Sequence, residues 1–121
     1  MQSAPASGER VLARQQASLV ILKGHAEGME YPLGRTDTVI GRDPHARICL
    51  TDPLLSREHA VLLFRDGVFV LQDLGSRNGT YMNGVSIKKA FLRHGDTFRL
   101  GGVVFQFVLQ ETARTDTCEL A

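Results

Sequence analysis

The sequence SREHAVLLFRDGVFVLQDLGSRNGTYMNG, residues 56–84, contains two short apolar runs with polar clusters at both ends. The first run covers residues 59–64, the second covers residues 68–71, and Arg65-Asp66-Gly67 lies between them. Two apolar runs joined by a short turn that contains Asp-Gly are typical of a β-hairpin. Because a hairpin leads the chain away and back, the polar residues before and after it are predicted to share one end of a β-structure.

Short apolar runs of the same kind continue on both sides of this stretch. Glycine, proline, asparagine and aspartate separate them, and none shows the 3.6-residue periodicity of an amphipathic helix. The further runs cover residues 19–22, 29–33, 38–42, 47–50, 81–87, 91–93, 97–100 and 103–108. This spacing predicts an all-β fold, a β-sandwich of about ten or eleven short, mainly antiparallel strands with the functional loops at one end.

The length of the chain sets its domain organisation. It has 121 residues, 43% of them hydrophobic, which is enough for one domain with a single core. Residues 1–17 are rich in Ser, Ala, Gln and Gly without a clear apolar face, and a flexible leader is predicted there. The β-sandwich domain is predicted to cover residues 18–110. Residues 111–121 are polar and rich in threonine, which predicts a flexible tail.

Charge and hydropathy argue against several classes of function. Fourteen Lys and Arg against 13 Asp and Glu give a net charge of +1, with no general attraction to nucleic acid or anionic membranes. No apolar run approaches the roughly 20 residues of a membrane helix, and the N-terminus lacks signal-peptide features. Cys49 and Cys118 show neither a disulfide framework nor metal-ligand spacing. We expect a cytoplasmic protein with no nucleic-acid or membrane partner, no metal and no small-molecule cofactor.

The polar clusters contain residues that are suited to hold an anion. Arg42, Arg57 and Arg77 offer cationic forks, while the Ser56 hydroxyl and the Asn78 amide are neutral donors. A phosphoryl group presents three acceptor oxygens and a charge of roughly −1.5 to −2 at neutral pH. This mixture of donors therefore suits a phosphate better than a carboxylate.

Four short motifs, in this order, resemble the forkhead-associated (FHA) domain family. They are Gly41-Arg42, Ser56-Arg57-Glu58-His59, the run Asp73-Leu74-Gly75-Ser76-Arg77-Asn78-Gly79-Thr80, and Asn83-Gly84. The resemblance extends more loosely over residues 18–110. It implies a β-sandwich whose loops bind phosphothreonine in a partner protein, and a Ser/Thr kinase that acts upstream. The implied function is a phosphothreonine-peptide-binding interaction module in kinase-dependent signalling or assembly.

The resemblance and the residue chemistry together assign roles to individual residues. Those predicted to bind the phosphopeptide are Arg42, Ser56, Arg57, Arg77 and Asn78. Those predicted to support the site structurally are Gly41, His59, Gly79, Thr80 and Asn83. The resemblance alone places Arg42 in the site. By simple alternation, the single short strand between Arg42 and Ser56 would put them at opposite ends of the sandwich.

Selectivity beyond the phosphate is assigned to the loop that precedes Ser56. In the family that this sequence resembles, this loop helps to read the third residue after the phosphothreonine. Here the loop contains Leu54 and Leu55, so an apolar residue is predicted at that peptide position.

An enzyme and an interaction domain that works without phosphate are the two alternative classes of function. An enzyme would use Ser56 and His59, but the sequence has no nucleophile elbow, no metal cluster and no Walker-type phosphate loop, so the prediction is a non-enzyme. His59 precedes an apolar run, and its predicted role is a buried support for the loops. The remaining alternative is an interaction or oligomerisation domain of a larger complex that works without phosphate.

Overall fold

A computed structural model describes residues 9–12 and 14–111. These residues contain eleven β-strands and no helix. Among them there is accordingly no helix with the length and apolar character that crossing a membrane requires. The strands are β1 (Gln15–Lys23), β2 (Glu30–Leu33), β3 (Thr38–Gly41), β4 (Ile48–Cys49), β5 (Ala60–Arg65), β6 (Val68–Asp73), β7 (Thr80–Met82), β8 (Val85–Ile87), β9 (Lys89–Phe91), β10 (Thr97–Leu100) and β11 (Val103–Glu111).

The strands form two sheets. The six-stranded sheet has the order β2-β1-β11-β10-β7-β8, and the five-stranded sheet has the order β4-β3-β5-β6-β9. All pairs are antiparallel except β3 and β4, which are parallel. The predicted all-β sandwich of mainly antiparallel strands is confirmed.

The core lies between the sheets and is centred on phenylalanine side chains. Phe69 of the five-stranded sheet and Phe107 of the six-stranded sheet are almost fully buried, with ring centroids 5.4 Å apart. Phe98 stacks on Phe105 with centroids 5.1 Å apart. Aromatic pairs of this kind add about 0.5–1.5 kcal/mol beyond the burial of their area. The Phe69–Phe107 contact joins the two sheets, whereas Phe98 and Phe105 pair across neighbouring strands of the six-stranded sheet.

The hairpin predicted around Asp66-Gly67 joins β5 to β6. Both turn residues have positive φ angles, 51° for Asp66 and 81° for Gly67, and Arg65 pairs with Val68 across the turn. Two positive φ angles are typical of the tight turn that matches the twist of antiparallel strands. At the other end of the hairpin the Leu74 N–H donates to the His59 carbonyl oxygen at 2.9 Å. The loops before β5 and after β6 therefore share one end of the sandwich, as predicted.

The parallel pairing of β3 and β4 decides where Arg42 lies. Ile40 pairs with Ile48 and Gly41 with Cys49, so β3 and β4 have their C-terminal ends at the same end of the sheet. The loop between them carries the chain back to the start of β4. The next loop, which contains Ser56, therefore begins at the same end of the sandwich as Arg42. Simple alternation was wrong here because it assumes that consecutive strands run in opposite directions.

The ordered part of the N-terminal region begins before the predicted boundary at residue 18. β1 starts at Gln15, and Val11 is buried with its N–H donating to the Gly67 carbonyl oxygen. The Glu9 carboxylate accepts a hydrogen bond from the His94 N–H at 2.9 Å. β1 thus starts three residues before the predicted domain boundary, and the flexibility of the leader stays a prediction. Residues 1–8 and 112–121, which include most of the predicted tail, lie outside the described residues.

Candidate functional site

Gly41 brings the end of β3 into contact with the loop that contains Ser56. A Cβ atom at this position would lie 2.0 Å from the Arg57 carbonyl oxygen and 3.0 Å from that of Ser56. Hydrogen bonds of 3.0 Å join the Arg42 N–H to the Ser56 carbonyl and the Asp43 N–H to the Arg57 carbonyl. Only glycine leaves room for two backbones at this distance. The close approach places Arg42 beside Ser56, where the sequence analysis expected it.

The Arg42 side chain is exposed but fixed at its base. Its Nε donates to the Leu55 carbonyl oxygen at 2.6 Å. The two terminal guanidinium nitrogens make no hydrogen bond or ion pair with any residue that the structure describes. A guanidinium binds oxyanions through such paired N–H groups, so Arg42 presents a positioned fork with its donors free.

Hydrogen bonds join the loop of Ser56 to the loop of Asn78. The Ser56 Oγ accepts from the Arg77 N–H at 2.9 Å. The Asn78 Nδ2 donates to the Leu54 carbonyl oxygen at 2.8 Å. The first bond uses Ser56 only as an acceptor, which leaves its hydroxyl proton for a ligand. Arg77 and Asn78 are exposed, and the backbone of Arg77 holds the loops together while its side chain points to solvent.

His59 is completely buried and links the two loops from below. Its Nδ1 accepts from the Ser56 N–H at 3.1 Å, and its Nε2 lies 2.9 Å from the Gly79 carbonyl oxygen. This pair of contacts requires a neutral ring with the proton on Nε2, because a carbonyl oxygen can only accept. The ring bonds the backbone of Ser56 and not its hydroxyl, so the geometry is that of a support and not of a serine–histidine catalytic pair.

Asp73 organises the loop after β6, a role that the sequence analysis missed. Its carboxylate accepts from the Gly75 N–H (2.9 Å), the Ser76 N–H (3.0 Å), the Ser76 Oγ (2.6 Å) and the Thr80 Oγ1 (2.7 Å). Partial burial alone would raise the pKa of Asp73, but these hydrogen bonds together hold the pKa below its ordinary value. The sequence contains a signal for this role, because Asp73 precedes Gly75 and Ser76 in a loop. An Asp in such a loop favours an Asx-turn, in which its carboxylate accepts from N–H groups of the following residues.

The remaining predicted support residues differ in what they contact. Thr80 is fully buried, and its hydroxyl donates to the Asp73 carboxylate. Gly79 has a φ of 86°, a backbone conformation that favours glycine. Asn83 has a φ of 50°, and its Oδ1 accepts from the Thr97 N–H at 3.4 Å and from the Thr97 hydroxyl at 3.3 Å. Asn83 therefore fixes the β7–β8 hairpin against β10, whereas Gly79 and Thr80 shape the loop of Asn78.

Arg57 lies at the rim of the site and has a carboxylate partner. Its terminal nitrogen is 3.4 Å from the Asp43 carboxylate, and 71% of the Arg57 side chain is exposed. The His45 N–H also donates to Asp43 at 2.9 Å. This hydrogen bond, with smaller effects from the His45 ring and the Arg57 charge, holds the pKa of Asp43 below its ordinary value. Asp43 was not among the predicted residues, and it partly neutralises the rim next to Arg42.

The two leucines of the predicted specificity loop have opposite surroundings. Leu54 is 51% exposed, whereas Leu55 is 2% exposed and belongs to the core. The Leu54 and Leu55 N–H groups both bond Asp52, at 2.9 Å to its side chain and 3.0 Å to its carbonyl oxygen. This turn points consecutive side chains in different directions. The prediction that Leu55 reads a peptide is wrong for its side chain, and Leu54 alone is available at the surface.

Metal chemistry finds no support among residues 9–12 and 14–111, where no group of three or more His, Cys, Asp or Glu residues could hold an ion. The site is an open surface of loop residues, in which exposed donors stand on hydrogen-bonded backbone. Such a surface is suited to binding.

Comparison with known proteins gives a consistent result. The model of the FHA domain family matches residues 38–101. The chain is 37% identical over 95 residues to the glycogen accumulation regulator GarA of Mycolicibacterium smegmatis, covering 78% of this chain and 60% of GarA. It is 36% identical over 107 residues to the oxoglutarate dehydrogenase inhibitor of Corynebacterium diphtheriae, covering 88% of this chain and 75% of the inhibitor. A structure solved in an analysis of phosphothreonine-dependent FHA domain interactions is 30% identical, with a TM-score of 0.71 and coverage of 77% of this chain and 95% of that chain.

Proposed function

This chain belongs to the FHA domain family, and we propose that it binds phosphothreonine peptides as a protein-interaction module. The observation that carries the proposal is the Arg42 guanidinium beside the Ser56 hydroxyl. It is held at its base by the Leu55 carbonyl, and its two terminal nitrogens have no partner among the described residues. A phosphate placed between them accepts a paired N–H contact from Arg42 and a hydroxyl proton from Ser56. Hydrogen bonds to charged groups are worth about 1.5–3 kcal/mol each, so the phosphate decides binding.

Asn78 and Leu54 contribute outside the phosphate. The bond from Asn78 Nδ2 to the Leu54 carbonyl orients the amide at the surface, where it can bond the peptide backbone. The exposed Leu54 side chain offers an apolar contact. We retain the prediction of an apolar residue at the third position after the phosphothreonine, now assigned to Leu54 alone. Burial of one methylene contributes about 0.8 kcal/mol, which sets the scale of this preference.

The partner is a protein phosphorylated on threonine, and a Ser/Thr kinase acts upstream of the interaction. One of the two relatives is named a regulator and the other an inhibitor, and neither name describes a catalytic activity. His59 is used by two backbone bonds and is not available as a base for Ser56. The role proposed for this chain is accordingly non-catalytic, in kinase-dependent signalling or assembly.

Titration with a phosphothreonine peptide tests the proposal. The wild-type chain is expected to bind the peptide and to lose it when the peptide is dephosphorylated. Replacement of phosphothreonine by phosphoserine is expected to weaken binding only by the contribution of one methyl group, about 0.8 kcal/mol if it is buried. Arg42→Ala and Asn78→Ala are each expected to cost at least about 1.5 kcal/mol of binding free energy, with unchanged melting temperature. Arg47→Ala removes another exposed arginine from the β3–β4 connection and serves as the matched control.

Two results would contradict the assignment. Equal affinity of wild type and Arg42→Ala would show that the phosphate binds elsewhere. Equal affinity for the phosphorylated and dephosphorylated peptides would favour the alternative of an interaction domain that works without phosphate.

A further inference from the structure

The outer face of the five-stranded sheet is unusually apolar. Side chains of a strand alternate between the two faces of its sheet, and Leu62, Phe69 and Leu71 point into the core. The outward positions of β3, β5, β6 and β9 that are apolar are Val39, Val61, Leu63, Val68, Val70 and Phe91. An antiparallel sheet with one face on the core normally presents polar residues on the other. This face therefore has a composition that solvent exposure does not explain.

Part of this face forms a groove. Leu63, Val70 and Phe91 stand side by side on three neighbouring strands, because Leu63 pairs with Val70 and Val70 pairs with Phe91. Together with Val68 they form the floor of a depression of about 790 Å³, which we call the outer-sheet groove. Leu63, Val68 and Phe91 remain partly exposed. The groove is a continuous apolar surface and not a set of scattered apolar residues.

The rim of the outer-sheet groove is basic. Arg10, Arg65 and Lys89 line it, against one acidic residue, Asp66. Arg65 is paired with Asp37 at 2.8 Å, but Arg10 and Lys89 have no ion pair with a carboxylate among the described residues. With Asp37 counted, the groove keeps one positive charge in excess. The Arg10 guanidinium donates to the Asp66 carbonyl oxygen at one end of β6, and Lys89 lies beside Gln72 at the other. An apolar floor with a cation at each end that no described carboxylate neutralises is complementary to apolar residues flanked by acidic ones.

We propose that the outer-sheet groove binds an extended segment of a partner protein in which apolar residues are flanked by Asp or Glu. A second copy of this chain fits less well, because it would bring Arg10 and Lys89 against the same cations. The edge strand beside the groove, β9, has only three residues and carries Lys89, which disfavours edge-to-edge pairing of two copies there. The inference goes beyond the phosphothreonine site, and no residue is shared between the two.

A phosphate-free peptide separates this proposal from the proposed function. The probe is a synthetic peptide with a Val-Ser-Leu-Ser-Val centre and two glutamates at each end, titrated into the ¹⁵N-labelled full chain. Amide shifts are expected at Leu63, Val70 and Phe91, and they are expected to persist when a phosphothreonine peptide saturates the loops. Failure of the loop site would leave these shifts intact, so the two proposals fail independently.

Two variants of the groove and one control sharpen the test. Lys89→Glu is expected to weaken the peptide about five-fold, since one rim charge is reversed. Leu63→Gln is expected to weaken it about ten-fold through lost apolar contact, with a melting curve recorded to show that it folds. Lys23→Glu makes the same change in net charge on the six-stranded sheet, and its affinity is expected to match that of wild type.

Four outcomes would overturn the proposal. The first is the absence of shifts at a peptide concentration of about 1 mM, and the second is equal binding of a peptide with lysines in place of the glutamates. The third is a change of the groove signals, without peptide, when the chain is truncated after Glu111. The fourth is a dependence of the groove signals on protein concentration. The last two would identify the chain's own residues 112–121 or a second copy as the occupant.

Discussion

The site loops contain two groups of residues that differ in burial and in bonding. The support group, Gly41, His59, Asp73 and Thr80, is buried or half-buried, and its polar members bond other parts of the loops. The contact group, Arg42, Ser56, Arg57 and Asn78, is largely exposed and keeps donors that no described residue uses. The support group fixes the loop backbones, and the contact group stands on them.

This difference teaches which property each substitution should change. Removing a buried group that is bonded on both sides leaves polar atoms without partners and lowers the free energy of unfolding. Removing an exposed donor leaves the fold intact and changes only ligand affinity. Variants that mix these effects would show that the division into two groups is too simple.

The largest effect is expected from Gly41→Ala in the support group. A methyl group would overlap the Arg57 carbonyl oxygen, and backbone cannot move aside without breaking two loop hydrogen bonds. We expect a loss of about 3 kcal/mol or more in the free energy of unfolding, measured by denaturant titration. Gly34→Ala is the matched control because no atom lies closer than 4.0 Å to its added Cβ. Equal stability of the two variants would disprove the close approach.

His59→Ala should be the next most harmful substitution. It leaves the Ser56 N–H and the Gly79 carbonyl without partners, at a cost of about 1–3 kcal/mol in stability. Phosphopeptide affinity should fall as well, because both loops lose their common support. Thermal melting and peptide titration of the same sample measure the two effects, with the exposed His25→Ala as control. A variant that melts like wild type but no longer binds would move His59 into the contact group.

Asp73→Asn should show its effect through pH. The folded-state pKa of Asp73 lies below the ordinary value of 3.8, so its carboxylate stabilises the fold above that pH and loses this contribution as pH falls through the folded-state value. At neutral pH we expect the variant to be less stable by about 1–2 kcal/mol. The difference should shrink in acid, which chemical denaturation at several pH values measures. A difference that is the same at all pH values would mean that the charge has no part in it.

The smallest effect is expected from Arg57→Ala in the contact group. Its ion pair with Asp43 lies at the surface with 71% of the Arg57 side chain exposed, and surface pairs contribute little to stability. Stability should stay unchanged, while phosphopeptide affinity falls slightly at low salt and by less at high salt. Affinities at two ionic strengths, compared with Arg42→Ala, measure this. A loss as large as that of Arg42→Ala would make Arg57 a main phosphate contact.

The sequence predicted those features that depend on neighbouring residues. The Asp66-Gly67 turn and the apolar runs on its two sides determine the hairpin, and the hairpin brings the loops of Ser56 and Asn78 to one end. Burial of His59 followed from the apolar run after it. These predictions succeed because turn geometry and strand alternation are local properties.

Features that depend on distant residues could not be predicted in the same way. The parallel pairing of β3 with β4, which places Arg42, depends on hydrogen bonds between separate segments. The burial of Leu55 but not of Leu54 depends on packing against the core, and the position of Val11 depends on its bond to Gly67. Local composition does not contain this information.

The pairing of Gln15 with Glu111 has a practical consequence for attaching this domain to other molecules. Val11 bonds Gly67 at the hairpin tip, so the first and last described residues lie at the hairpin end of the sandwich. The site loops lie at the other end of β5, a six-residue strand that spans about 20 Å. A fluorescent reporter fused after Glu111, or a host loop that receives residues 9–111 as an insert, should leave Arg42 and Asn78 open to a peptide in solution.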